Sequence, residues 1–471
     1  MILIISYFSI VSIIATFAVN EYAGNSLLFF IFSFVFNVLL LMGIRKNANF
    51  FDFYIGIFFW IGFWLKLTVR ILFFDTKFSE ATGAFDFSGD SFDSALIVCI
   101  CGASALILGS LIREKIFPKL INRKIVDSCQ EQFYFKKRIY IIIIFTVLFI
   151  SISYINVYFG IYQKGEITKT ILPYNINSVF KWLLLFGLAS FSALILKFEI
   201  DNNKKIPIII WTIIIIESFF SNTSLLSRGM ILNSGAIAIG ALVLLRKNKI
   251  FLLNLKNIIL SSIIFCIFFT MSIIIVNDLR GNGSGNFRLG ILGDMFNKNN
   301  ESQQRGNDLE HATPLLLNRW VGIEGVLSVS SSKRLGLELW NEAWSERYSE
   351  NTMGFYDSNL IDSPYKNTDF KKNHYISLPG ITAFLFYPGS LIFLFFSMLS
   401  LSILASIIEF FVFKVGGENL ILCSLISMVV AYRYTSFGYV PFQSYLLFGS
   451  IIISTIIIYF INLIFSYSPK N

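Results

Sequence analysis

The sequence predicts an all-α polytopic membrane protein, and three observations carry that prediction. Apolar residues make up 55% of the 471-residue chain and charged residues only 14%, against roughly 45–50% and about 25% in soluble domains; mean hydropathy is +0.69. The apolar residues fall into blocks of about 20, the length that crosses a hydrocarbon layer. Basic residues concentrate in alternate connections, as they do when one side of a membrane retains them. A soluble enzyme is excluded by this composition.

Taken in order, the blocks lie at 2–19, 26–44, 53–73, 94–112, 139–159, 179–198, 206–220, 229–245, 257–276, 380–413, 419–436 and 443–466. They predict about 12 transmembrane helices. The first has no basic region before it and no small-residue cleavage site after Phe17, so it reads as a retained span and not a removed signal. The seventh and eighth are separated only by Ser221 to Arg228. The tenth contains Pro388 and Gly389 just beyond Pro379, which predicts a re-entrant piece followed by a span. This divides the chain into helices one to nine over 1–276, a large polar segment over 277–378, and helices ten to twelve over 379–471.

With the N-terminus in the cytoplasm, the inside connections hold eighteen Lys or Arg, from Arg45 to Lys470, while the short outside loops hold only Lys77, Lys164, Lys169 and Arg228. The asymmetry places both termini in the cytoplasm and the polar segment outside. That segment carries eleven basic and thirteen acidic residues, so it is no nucleic-acid arm. Of five cysteines, four sit inside apolar blocks and Cys129 in a basic loop, which gives neither a disulfide framework nor a metal spacing. No metal or other cofactor is expected.

Within the segment, Thr313-Pro314 offers an N-cap with proline at the first helical position, and Leu316, Trp320, Ile323 and Leu327 follow at helical spacing. After Gly336, Leu337, Trp340, Trp344 and Tyr348 form one stripe, and Glu338, Glu342, Glu346 and Glu350 another. Both stretches predict amphipathic helices at the outer membrane boundary, the glutamates forming a solvated face.

Cations on the outer side are the informative residues, because charge in hydrocarbon costs about 2.5–3.5 kcal/mol on insertion scales. Lys66, Arg70, Lys181, Arg228, Arg280, Arg288 and Arg433, with Arg319 in the loop, make a cationic outer mouth suited to an anionic group, the arginines above all, since guanidinium forks match phosphate oxygens. The blander reading has Lys66, Arg70 and Lys181 snorkelling to the interface and Arg228 pairing with Glu217. His311 and His374 are the only histidines, and with Glu324 they are the candidates for a general base. Trp320 and Tyr356 are candidates for stacking on sugar rings, and Trp340 and Trp344 for anchoring at the interface. No nucleotide-binding or metalloprotease motif occurs.

The stretches Asn318-Arg-Trp-Val-Gly-Ile-Glu-Gly325 and Leu378-Pro-Gly-Ile-Thr-Ala-Phe-Leu-Phe-Tyr-Pro-Gly-Ser390, with a dozen spans, one long late outer loop and arginines at the outer face, resemble the Wzy-type O-antigen and repeat-unit polysaccharide polymerases. The resemblance implies a GT-C-like, lipid-donor glycosyltransferase bundle in the bacterial inner membrane. It would join undecaprenyl-diphosphate-linked repeat units at the periplasmic face, with membrane lipids, a chain-length regulator and a flippase as partners. An O-antigen ligase acting on lipid A core, or a repeat-unit flippase, is the alternative.

Overall fold

A computed structural model of the chain describes residues 2–45, 48–74, 76, 78, 80–116, 133–203, 206–227, 229–247, 255–281, 320–363, 365–366, 369–371 and 373–467. The described residues are helical and contain no strand; a lone bridge joins Glu166 to Asn373. Among the described residues eight helices are long and apolar enough to cross a membrane: Ser26–Ile44, Phe50–Phe73, Gly89–Ile116, Arg138–Phe159, Pro173–Asn202, Ile259–Val276, Leu391–Val415 and Gln443–Ser466. Four shorter apolar helices, Ser6–Glu21, Ile208–Ser224, Met230–Arg246 and Leu420–Thr435, pack among them.

Caps written in the sequence start several of these helices. The Asn25 side chain accepts from the amides of Leu27 and Leu28, Asn419 does the same for Ile421 and Leu422, and Ser390 accepts from Phe393. The expected break in the tenth block is present: a short buried helix, Ile381–Leu385, is followed by a turn through Pro388 and Gly389 (φ 73°) before Leu391–Val415 begins. The short helix and the residues just after it, through Tyr387, are buried in protein, which tolerates irregular backbone.

Lipid supplies no hydrophobic drive for helix association, so close packing must. Phe32, Phe36, Phe59 and Phe63 form one fully packed aromatic ladder. A Cβ on Gly240 would lie 2.6 Å from the Ile421 Cα, which explains how helices Met230–Lys247 and Leu420–Thr435 approach so closely.

Two ends of the bundle differ in chemistry. At the basic end, Arg113 makes a two-pronged ion pair with buried Asp52, and Arg138 pairs with buried Glu199. Glu409 accepts from the amides of Phe50 and Phe51 at 3.1 and 3.0 Å, capping helix Phe50–Phe59 from another part of the chain.

At the loop end lies the polar segment. Its first described helix is Ile323–Ser330, beginning after Gly322, so Trp320 stands before the helix and not on it; Thr313 and Pro314 lie outside the described residues. This helix is not amphipathic as expected. Ile323, Val326, Leu327 and Val329 are all buried, because the segment is pressed into the bundle on two glycines. A Cβ on Gly322 would meet the Gly62 carbonyl oxygen at 1.9 Å, and one on Gly325 the Pro379 carbonyl oxygen at 1.9 Å. The second expected helix is present as Leu337–Trp344, with Trp340 and Trp344 stacked at 5.3 Å. It stops at Trp344, so the four glutamates do not share a face. Glu338 and Glu342 are exposed, whereas Glu346 accepts from the amides of Phe355 and Val440.

Candidate functional site

Two polar clusters form at the loop end. The first is built on the long helix Phe50–Phe73, where a π-helical turn, Trp60–Leu65, leads directly into Lys66. Such turns redirect side chains and recur at functional sites. Lys66 donates to the Trp320 carbonyl at 2.9 Å and pairs with Glu324 Oε1 at 2.6 Å, with 1% and 5% of the two side chains exposed. Lys66 therefore does not snorkel. It fastens the polar segment to the bundle, and its charge occupies the Glu324 carboxylate. Arg70, one turn on, lies over the Phe74 ring at 4.8 Å. Glu80 faces Lys66, Glu324 and Asp357; burial, then the Glu324 charge, pushes its carboxyl above the ordinary range.

The second cluster is assembled from four parts of the chain. Helix Ile176–Trp182 supplies Lys181, again beside a π-helical turn, Leu183–Gly187. The preceding connection supplies Tyr162 and Thr168, helix Leu420–Thr435 supplies Arg433, and the polar segment supplies Tyr348, Glu350 and His374. Lys181 Nζ sits 4.8 Å from the centre of the Tyr162 ring, a cation–π contact. Arg433 interacts electrostatically with both Tyr162 and Lys181. Its Nε and Nη2 reach only the Ser444 hydroxyl, at 3.4 and 3.3 Å. Among the described residues no carboxylate lies within ion-pair distance of Lys181 or Arg433, both half-buried. Two like charges held together, with Glu350 acting on Lys181 only beyond ion-pair distance, make a site for an anion.

Glu350 borders this pair. Its carboxylate accepts from the Thr168 amide and hydroxyl, each at 2.9 Å, and from Tyr348 at 2.6 Å. Burial opposes its charge, but the hydrogen bonds from Tyr348 and Thr168, helped by His374, hold its carboxyl below the ordinary range. Burial, with Glu350 adding to it, raises the Tyr162 phenol to about 12.

His374 Nδ1 lies 3.0 Å from the main-chain oxygen of Glu350. A carbonyl can only accept, so Nδ1 carries the proton in the neutral ring and Nε2 keeps its lone pair. Nε2 is buried without a hydrogen-bond partner, between the rings of Tyr348 and Tyr439. That is the protonation pattern of a proton acceptor. Beside the cluster, Ile167, Asn351, Asp369, Phe370 and Lys371 line an open depression of about 640 Å³.

Of the residues singled out from sequence, Arg433 and His374 thus belong to one cluster and Glu324 to the other. Arg228, Arg288, Arg319 and His311 lie outside the described residues, as does the side chain of Arg280, whose backbone closes helix Leu255–Gly281. Glu217 accepts from Ser221 at 2.8 Å, and its expected pairing with Arg228 falls on a residue outside the described ones. Trp320 stacks on Phe58 at 5.2 Å and remains partly exposed. Tyr356 is 4% exposed, packed beneath the turn that follows its five-residue helix, so its ring offers no face to a sugar.

No protein-family model, curated protein or solved structure matches this chain. The site must be read from its chemistry.

Sequence reasoning did not single out Tyr162, and it placed Lys181 as a snorkelling lysine, Tyr348 in an apolar stripe and Glu350 on a solvated face. For Lys181 the signal was available, a lysine inside an apolar helix. For Glu350 it was hidden, because the helix that seemed to include it ends six residues earlier.

Proposed function

We propose that this chain is an O-antigen polymerase, a glycosyltransferase that joins undecaprenyl-diphosphate-linked repeat units at the periplasmic face of the bacterial inner membrane. In this reading the four shorter apolar helices also span, giving twelve, and both termini are cytoplasmic, as the basic-residue asymmetry requires. The observation that carries the proposal is the Lys181–Arg433 pair, two cations without a carboxylate partner at the loop end of an apolar bundle. A lipid-linked diphosphate arrives at this depth, with its anionic part at the interface and its chain in lipid.

The chemistry balances with the groups present. The acceptor hydroxyl oxygen attacks the donor's anomeric carbon and forms the new glycosidic bond. The bond from that carbon to the phosphate oxygen breaks, and the lipid diphosphate leaves with the electron pair. Arg433 and Lys181 offset the charge that develops on it, an effect that requires positioned cations and no metal. The acceptor's proton goes to His374 Nε2. Among the three base candidates His374 is favoured, since the Glu324 carboxylate is engaged by Lys66 and His311 is outside the described residues. The depression of about 640 Å³ has the size of a ligand site, typically about 300–1,000 Å³.

A flippase is the rival reading. It needs cations along a path through the bundle, whereas Lys181 and Arg433 lie together at the loop end, and Lys197, at the other end of the same long helix, is held by the Gly417 oxygen and Asn462. Deletion in the native host tests the two. A polymerase loss leaves lipid A core capped with single repeat units, because export continues; a flippase loss leaves uncapped core.

A further inference from the structure

Among the described residues Glu350 makes no ion pair, yet it makes three hydrogen bonds to side chains and main chain of two separate segments. The connection 160–172 has few other ties to the polar segment. Glu166 bridges Asn373, and the His374 amide donates to the Gly165 oxygen at 3.1 Å. The same connection carries Tyr162, on which Lys181 rests. The residue that fastens it is also the one whose main-chain oxygen holds the His374 ring. One residue thereby links the position of the cations to that of the histidine.

We propose that Glu350 is the positioning residue of this site, a clamp whose carboxylate pins the Thr168 connection while its carbonyl fixes the His374 tautomer. The inference rests on the reading of the site as a glycosyltransferase centre for its kinetic consequence, and on geometry alone for the clamp. The contacts of the Glu350 carboxylate are to Thr168 and Tyr348, so in this reading it acts through other residues. The groups that face it are Tyr348, His374, Tyr162, Lys181 and Tyr439, and only Lys181 is a fixed cation.

Hydrogen–deuterium exchange on the full-length protein in detergent tests the clamp without any substrate. In Glu350→Ala the peptide covering 161–171 should exchange about 10-fold faster, the expected loss when hydrogen bonds to a charged acceptor are removed. Glu350→Gln keeps an acceptor for Thr168 and should stay within about 3-fold of the wild type. Thr168→Val removes only the hydroxyl bond and should loosen the same peptide by an intermediate amount, which keeps the test alive if Glu350→Ala does not fold. Unchanged exchange in Thr168→Val and in a folded Glu350→Ala overturns the clamp.

With carrier-linked repeat units as substrate, Glu350→Ala should lower kcat about 10-fold or more while KM moves less than about 3-fold, and Glu350→Gln should restore most of the rate. A loss confined to KM, or no restoration by Gln, overturns the positioning role. Wild-type protein that shows no turnover, together with the expected exchange pattern, would reject the enzyme reading and leave the clamp standing.

Discussion

Lys66 Nζ lies 2.6 Å from Glu324 Oε1, and both side chains are buried. The pair joins a transmembrane helix to the start of helix Ile323–Ser330, and the backbones meet beside it at Gly62 and Gly322. Removing one partner of a buried ion pair strands the other charge, at a cost of about 3–5 kcal/mol, whereas replacing both with apolar groups is often nearly neutral. Lys66→Met should therefore lower the thermal midpoint in detergent sharply, and Lys66→Met with Glu324→Leu should recover most of the loss. Gly322→Ala, which forces a Cβ onto the Gly62 oxygen, should be as damaging as Lys66→Met. A double variant no better than the single would show that the pair is not the attachment described here.

The loop-end cations call for a kinetic test. Arg433→Lys keeps the charge and loses the guanidinium fork, and Lys181→Met loses the charge. Each should reduce kcat/KM for the lipid-diphosphate donor by about 10–100-fold, the range for charge-assisted hydrogen bonds. Protein abundance in the membrane should stay near normal, since neither cation holds a carboxylate in place. Normal glycan ladders from both variants would remove the cations from the reaction.

Glu80 gives a pH dependence of definite sign. Its carboxyl is raised by burial and by Glu324. A carboxyl raised in the folded state contributes stability below its ordinary value and loses that contribution as pH rises through the raised one. Glu80→Gln, permanently neutral, should thus be more stable than the wild type at pH 7–8, by about 1–3 °C in thermal midpoint. The advantage should vanish near pH 4. Glu350 has the opposite sign, being lowered, so its contacts should persist as pH falls through the ordinary carboxyl range and fail only below it. Parallel pH profiles for the Gln variants at the two positions would contradict this assignment.

How far the sequence revealed this arrangement depended on the range of each interaction. Apolar blocks and the break at Pro388 and Gly389 are local, and each was legible from neighbouring residues. Helix Leu337–Trp344 was legible from its tryptophan spacing, but its end was not, because the glutamate repeat runs past Trp344 into a loop fixed by Glu346 and Glu350. Lys66 with Glu324, and Gly62 with Gly322, are far apart in the chain, and nothing in either neighbourhood names its partner. The resemblance to repeat-unit polymerases pointed to stretches around Glu324 and Pro379. In the structure both are packing elements, and the cations without carboxylate partners lie elsewhere.

The most direct test of the account uses purified full-length protein in detergent with undecaprenyl-diphosphate-linked repeat units and no nucleotide. With no membrane separating two compartments, a transporter can produce no covalent change. The account predicts glycans of two or more repeat units, one lipid diphosphate released per bond formed, and a rate lowered about 10²–10⁴-fold in His374→Gln, the usual contribution of a positioned base. Carrier-linked units recovered unchanged from folded wild-type protein would contradict it.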